Sequence, residues 1–391
     1  MFEKKLDGLR QKNLLREIKD RTGRQGPTVC IDGKDLANFS SNDYLGLAGD
    51  SRLAEAAAAA AGRYGAGAGA ARLLSGGTAL HKELEGKAAS FTGAGAVLLF
   101  NSGYHANTGA IPALAGPECT IFSDELNHAS IIDGCRLSRA RTVIFRHADA
   151  GHLEELLRSE RAKNEKALIV TESVFSMDGD IAPLEAIFGL SARHGADLYV
   201  DDAHAFGVLG QGRGSLAHFG LDRGNKSPGG QAIIQMCTFS KALGSYGAFV
   251  ASDKEVIEWL KNTARTFIFS TALPPPVAGA SLAALEILGR PEGLSLVEKL
   301  HANIGHVRGK LALAGIGEAC AGKSPIVPVL LNGVNEAVSA SRRLSDAGFY
   351  VPSIRPPTVK TPRLRLQVTA AHSAGDIDSL LAALSSCKIN A

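Results

Sequence analysis

Ala196-Asp-Leu-Tyr-Val-Asp201-Asp-Ala-His204-Ala-Phe-Gly207 and Ala232-Ile-Ile-Gln-Met-Cys-Thr238-Phe-Ser-Lys241-Ala-Leu-Gly-Ser245 share one construction. A short apolar run ends abruptly in side chains that carry chemistry. Similar runs recur at Ala96–Phe100, Cys119–Ser123, Thr142–Phe145, Ala167–Thr171 and Gly247–Ala251. Several are continuous rather than alternating, as strands covered on both faces should be. Most gaps between them hold 18 to 35 residues, which is room for crossover helices. The pattern predicts an α/β fold with a seven-stranded, mostly parallel sheet and helices on both faces.

The flanks read differently. Charges mixed among Leu6, Leu9, Leu14, Leu15 and Ile18 predict a helix within the first 30 residues, ended by Gly23, Gly26 and Pro27. Ala54 to Ala61 predicts a helix stopped by Gly62. Pro274-Pro-Pro276 breaks the chain, and a long helical region follows, about Val277 to Ala314. The tail alternates strand (Ile326–Leu331), helix (Asn335–Ala347), strand (Leu364–Val368) and helix (Ala374–Ser385), a smaller α+β domain. The expected organisation is an N-terminal segment over 1–50, a large α/β domain over 51–275, and a linking helix with a small domain over 276–391.

Composition narrows the function classes. Lys plus Arg number 42 and Asp plus Glu 39, a net charge of +3. That balance supplies no broad field for nucleic acid or an anionic membrane. No stretch of about 18 apolar residues exists to span a bilayer. The charged first ten residues do not read as a secretory signal. The scattered cysteines (Cys30, Cys119, Cys135, Cys237, Cys320, Cys387) contain no Cys-x-x-Cys pair, so the expectation is thiols in a reducing cytoplasm. No metal-ligand spacing stands out. Glycine is the outlier: 44 of 391 residues, about 11% against roughly 7% on average.

The candidate functional residues follow strands. Lys241 sits three residues past a strand, among small neighbours whose desolvation would free an amine for Schiff-base chemistry; the plain alternative is a solvated surface lysine. Thr238 offers a hydroxyl to a phosphate. Asp201 closes a strand where open α/β sheets place ligand-binding groups, with His204 three residues on. Such an aspartate can hold a protonated ring nitrogen; a capping Asp and a packed His are the alternative. Asn101-Ser-Gly103-Tyr104 opens a helix after the first strand, where backbone amides can bind phosphate. His128 follows the second strand, placed to lie on an aromatic cofactor or to act as an acid/base group. Glu172 and Ser176 follow the fourth. Arg363 and Arg365 alternate with leucines, so both face one side of a strand and suit a carboxylate; a solvent-facing edge strand is the other reading.

Taken together these are the contacts that pyridoxal 5′-phosphate (PLP) needs. The segments N-F-S-S-N-D-Y-L-G-L (38–47), L-L-S-G-G-T-A-L-H-K-E-L-E (73–85), N-S-G-Y-H-A-N (101–107), T-E-S-V-F-S-M-D-G-D-I-A-P-L (171–184), V-D-D-A-H-A-F-G-V-L-G-Q-G-R-G (200–214), T-F-S-K (238–241) and R-P-P-T-V (355–359) resemble the α-oxoamine synthases, fold-type-I PLP transferases. The resemblance runs in order over nearly the whole chain. It implies decarboxylative condensation of L-alanine with a pimeloyl thioester, on CoA or an acyl carrier protein, in biotin biosynthesis. The alternative is a sister synthase taking glycine, of the 2-amino-3-ketobutyrate ligase or 5-aminolevulinate synthase type. By the same resemblance Lys241 carries the cofactor and Asp201 holds its ring nitrogen. His128 stacks on the ring, and His204 and Ser176 contact its phenolic oxygen region. Glu172 is a polar contact in the same crevice. Gly103, Tyr104 and Thr238 bind the phosphate, and Asn42 and Arg365 orient substrate carboxylate. Arg16, placed in the N-terminal helix, and Thr358 contact substrate. A homodimer is implied, with Ser270 and Thr271 reaching the neighbour's phosphate. The glycines at 65–69, 76–77, 103, 207–214, 244 and 247 are then expected to clear space around the cofactor.

Overall fold

The apolar runs form one sheet of seven strands: Ala96–Phe100 (β1), Cys119–Asp124 (β2), Arg141–Phe145 (β3), Lys166–Glu172 (β4), Asp197–Asp201 (β5), Ile233–Thr238 (β6) and Ala248–Ser252 (β7). Their spatial order is β1-β7-β6-β5-β4-β2-β3. Of these seven only β7 runs against the rest, pairing antiparallel with β1 on one side and β6 on the other. The computed structural model describes residues 1–160, 166–221, 230–313 and 322–387.

The strands are continuous in sequence because both faces are covered. On β4, Leu168 and Val170 belong to one apolar core, and Ala167 and Ile169 to another. Successive side chains point to opposite faces, so one strand feeds two cores. Each fully buried aliphatic side chain contributes about 1.5–3 kcal/mol. Helices between the strands supply the covering layers, Gly103–Leu114 to the first core and Leu184–His194 to the second.

Two compact units emerge. The larger comprises Asp50–Phe175 and Ile181–Ser295, and contains the seven-stranded sheet. The smaller comprises Met1–Gly49, Ser176–Asp180 and Leu296–Ala391. Its three-stranded sheet has Arg363–Gln367 in the middle, between Ile326–Leu330 and Ser353–Ile354. A separate core gathers Phe39, Val327, Leu364, Leu366, Ile377 and Leu380. Among the described residues no helix is long and apolar enough to cross a membrane.

Several boundaries differ from those expected of the sequence. The N-terminal helix covers only Phe2–Gln11. Asn13 takes a left-handed φ of 53°, and the Leu14 amide reaches back to the Leu9 carbonyl, a closure that ends the helix before Arg16. Arg16 is therefore not in a helix. Gly62 does not stop the alanine-rich helix, which spans Ser51–Tyr64 and ends where Gly65 turns to φ +85°. The Asp50 side chain caps its start by accepting from the Arg52 amide. The long helix after the triproline is two helices, Pro275–Leu288 and Pro291–Leu313. Pro291 has no amide hydrogen to continue the first ladder and instead starts the second. Ala314 and Cys320 lie outside the described residues.

Candidate active site

In the larger unit, the carboxyl ends of β4, β5 and β6, together with the segments following β1 and β2, open on one cleft of about 220 Å³. Its lining includes Gly103, Tyr104, His128, Glu172, Asp201, His204, Thr238 and Lys241, all expected from sequence. Ser102, Asn107, Ser130, Ala203, Met236 and Ser240 line it as well.

The floor is a pair of carboxyls. Glu172 and Asp201 are register partners on adjacent parallel strands, so their side chains leave the sheet together. Both are buried. Asp201 accepts from the Ala203 amide at 3.0 Å and from Asn107 Nδ2 at 2.7 Å. Burial pushes the Glu172 carboxyl well above the usual range, and the Asp201 charge pushes it the same way. Burial therefore favours the neutral form of Glu172. Its Oε1 is buried and meets no hydrogen-bond partner among the described residues. The neighbouring Asp202 acts away from the cleft. Its Oδ2 accepts from the Ser215 amide at 2.8 Å and from Gln235 Nε2 at 2.5 Å, tying down the turn after β5.

His128 caps the helix Ala129–Ser138, with Nδ1 2.7 Å from Ser130 Oγ. Burial lowers its pKa; the charge of Asp201 opposes this and that of Lys241 adds to it. The Tyr104 ring meets it edge-on, 6.4 Å between centroids, and the Tyr104 hydroxyl donates to Asp133. On the opposite side Thr238 ends β6, its Oγ1 within 2.6 Å of Ser240 Oγ and donating to the Gly247 carbonyl at 2.8 Å. Lys241 follows in the same turn, which the Gly244 amide closes onto the Lys241 carbonyl at 2.9 Å.

At the start of the helix Gly103–Leu114, Ser102 Oγ takes the His105 amide. The ladder itself offers no acceptor to the earlier amides of Gly103 and Tyr104. That is an anion cradle.

The remaining expected residues lie elsewhere. Ser270 and Thr271 do not line this cleft; Asn101 Nδ2 donates to Ser270 Oγ at 2.9 Å and to the Thr271 carbonyl at 2.8 Å. Asn42, Arg365, Ser176, Arg16 and Thr358 belong to the smaller unit. Both Arg363 and Arg365 are buried, in a central strand, which removes the solvent-facing edge reading. Arg363 pairs with Asp178 at 2.5 Å. Arg365 donates to the Ser176 carbonyl at 2.6 Å and reaches Asn42 Oδ1 at 3.3 Å. Arg16 donates to Thr358 Oγ1 at 2.8 Å, so two residues separated by most of the sequence meet.

The family model for class I and II aminotransferases matches residues 34–384. An 8-amino-7-oxononanoate synthase from Geobacter sulfurreducens is 47% identical over 382 residues, covering 97% of this chain and 95% of the relative. One from Anaeromyxobacter dehalogenans is also 47% identical, over 97% of this chain and 93% of its own. The chain belongs to the class I and II aminotransferase family, on its 8-amino-7-oxononanoate synthase branch. Among solved structures, serine palmitoyltransferase of S. paucimobilis with bound PLP and myriocin superposes with a TM-score of 0.90 at 30% identity, over 99% of this chain and 98% of that one. This family member is accordingly a PLP-dependent transferase of fold type I.

The residues present fit that cofactor. The cradle amides face the cleft at a glycine whose added Cβ would approach only Met236, at 3.5 Å. The lining includes a buried carboxyl group at Asp201 and, at Glu172, a buried carboxyl oxygen with no partner among the described residues, polar groups suited to a ring with hydrogen-bonding substituents. An amine on a short turn lies in the same lining. Asn107 and Ser130 were not among the residues that strand endings pointed to. Asn107 falls one helical turn after Gly103, and that i, i+4 spacing is the signal that places both on one helix face.

Proposed function

We propose that the chain condenses L-alanine with a pimeloyl thioester, releasing 8-amino-7-oxononanoate, CO2 and the free thiol, as a cytoplasmic step of biotin biosynthesis. Near-full-length likeness to proteins named for that product carries the reading. A carbon–carbon bond forms between alanine Cα and the thioester carbonyl; the carbon–sulfur bond and the alanine carboxyl bond break. Bound PLP supplies a cationic ring that takes up the charge left on Cα when its proton departs.

The residues divide the work. Lys241 carries the cofactor and its Nζ then removes the Cα proton. Asp201 would face the ring nitrogen and keep it protonated. His128 lies on the ring and donates toward the incoming carbonyl. His204 and Ser176 contact the phenolic oxygen region. Gly103 and Tyr104, through their amides, and Thr238, through its hydroxyl, hold the phosphate. Arg365 with Asn42 receives the substrate carboxylate, since Arg363 already neutralises Asp178. Arg16 and Thr358 contact the acyl substrate. The working form is a homodimer in which Ser270 and Thr271 serve the neighbour's phosphate.

The test is a panel of alanine or glycine against pimeloyl, acetyl and succinyl thioesters, on CoA and on acyl carrier protein, scored by thiol released. Alanine with a pimeloyl thioester should win. Faster turnover of glycine with acetyl- or succinyl-CoA would move the chain to the sister activity. Lys241→Ala should lose the cofactor's visible band and about 10²–10⁴-fold or more of the turnover.

A further inference from the structure

Three buried side chains, Tyr199, Asn107 and Ser130, lead to the exposed His128 in the cleft lining. Tyr199 Oη donates to Asn107 Oδ1 at 2.8 Å. Asn107 Nδ2 then donates twice, to Asp201 Oδ2 at 2.7 Å and to Ser130 Oγ at 2.8 Å. Ser130 Oγ stands 2.7 Å from His128 Nδ1. Tyr199, Asn107 and Ser130 are each at most 1% exposed, so their hydrogen bonds are made to one another rather than to bulk water.

The direction of every bond is fixed by elimination. The reversed Asn107 amide would turn its carbonyl oxygen onto the Asp201 carboxylate, two acceptors at 2.7 Å. Nδ2 therefore faces Asp201 and Ser130, and each of its two hydrogens is used. Ser130 Oγ accepts from Asn107, which frees its single hydrogen for His128. The Ser130 backbone amide also points at His128 Nδ1, at 3.3 Å, and an amide can only donate. Two donors thus converge on Nδ1, which must be unprotonated.

We propose that Asn107 and Ser130 are positioning residues that hold His128 in the neutral Nε2–H tautomer, so that it enters the reaction as a hydrogen-bond donor rather than as a base. This rests on the placement of His128 at the cofactor, but the locked tautomer is a property of the chain itself. The same asparagine fixes Asp201, so one carboxamide sets both the ring-nitrogen partner and the stacking imidazole.

The experiment uses cofactor-free protein labelled with 15N-histidine, read by solid-state NMR near pH 8. The His128 signals are assigned by difference against His128→Gln. Wild type should show a pyridine-type Nδ1 and a pyrrole-type Nε2. Ser130→Ala should release a second tautomer, while Ser130→Thr, which keeps the hydroxyl, should restore the single form. Asn107→Ala should weaken PLP binding about tenfold, the loss of one buried hydrogen bond to a charge. A protonated Nδ1 in wild type, or an unchanged tautomer in Ser130→Ala, overturns the proposal. Neither outcome touches the substrate assignment, which the thioester panel decides separately.

Discussion

Glu172 shows how much one position depends on its neighbour. Its pKa is raised by burial first and by the Asp201 charge second. A carboxyl whose folded pKa is raised contributes stability at pH below its unfolded value, about 4.3, and loses it as pH rises through the folded value. Glu172→Gln cannot ionise. Its stability relative to wild type should therefore increase steadily from pH 6 to 9 in urea unfolding of the cofactor-free protein. A constant difference would mean that Glu172 is already ionised at pH 6. Chemical identity and strand position made Lys241, Asp201, His128 and His204 legible in the sequence, because each ends or follows an apolar run. The raised pKa of Glu172 was not, since it comes from burial first and then from the Asp201 charge that the register between β4 and β5 sets beside it, relations that no local pattern carries.

The turns that follow the strands decide whether those side chains converge. Some of the abundant glycines serve the close approach of the chain to itself. An added Cβ at Gly65, Gly67 or Gly69 would touch nothing within 4 Å. At Gly76 it would strike the Ala70 carbonyl oxygen at 1.9 Å, and at Gly214 the Asp202 carboxylate at 2.1 Å. These glycines let the chain approach itself. Gly207 is the most consequential: its φ is +79°, and a Cβ there would fall 2.5 Å from the Cβ of Ala242, next to Lys241. Gly207→Ala combines left-handed strain of about 1–2 kcal/mol with overpacking of about 1–3 kcal/mol. We expect a loss of about 2–5 kcal/mol in denaturant unfolding, together with weakened PLP uptake. Wild-type stability and uptake would refute the coupling of the two turns. The sheet strands were legible because their apolar runs are a local property, whereas helices such as Ala79–Thr92 were not read. Helix ends were not: Asn13, not Gly23, ends the first helix, and that depends on one residue adopting a left-handed backbone.

At the scale of the molecule, each unit carries its own core, and the smaller one has a built-in acid sensitivity. His372 is fully buried, stacked on Phe39 with ring centroids 4.2 Å apart and 2° between planes. Its Nδ1 accepts from the Thr369 amide at 3.0 Å, and its Nε2 lies 3.1 Å from the Asn38 carbonyl. Burial drives its pKa down from 6.5 to about 4. A histidine with a depressed folded pKa contributes stability above its unfolded value and loses it as pH falls through the folded one. The shift corresponds to about 3 kcal/mol, surrendered between pH 6.5 and about 4. Hydrogen exchange should show the Phe39 and Leu364–Val368 amides opening first as pH drops in that window. His372→Gln should flatten the dependence; an unchanged pH slope would refute it. The separate α+β tail was visible as an alternation of elements. That Met1–Gly49 and Ser176–Asp180 join it was not visible, because segments far apart in sequence meet there.

The single reversed strand sets an order of events during synthesis. Within its sheet β1 pairs with β7 alone, Ala96 opposite Ser252 and Phe100 opposite Ala248. From Phe100 to Ala248 is 248 − 100 = 148 positions. A nascent chain emerging from the ribosome therefore displays β1, and the phosphate-cradle turn after it, long before their only sheet partner exists. Strands β2 to β6 have partners nearer in the chain, whereas closing the β1 edge awaits the last strand of this sheet. Such late closure leaves an apolar edge exposed during translation, the situation in which chaperones are most needed.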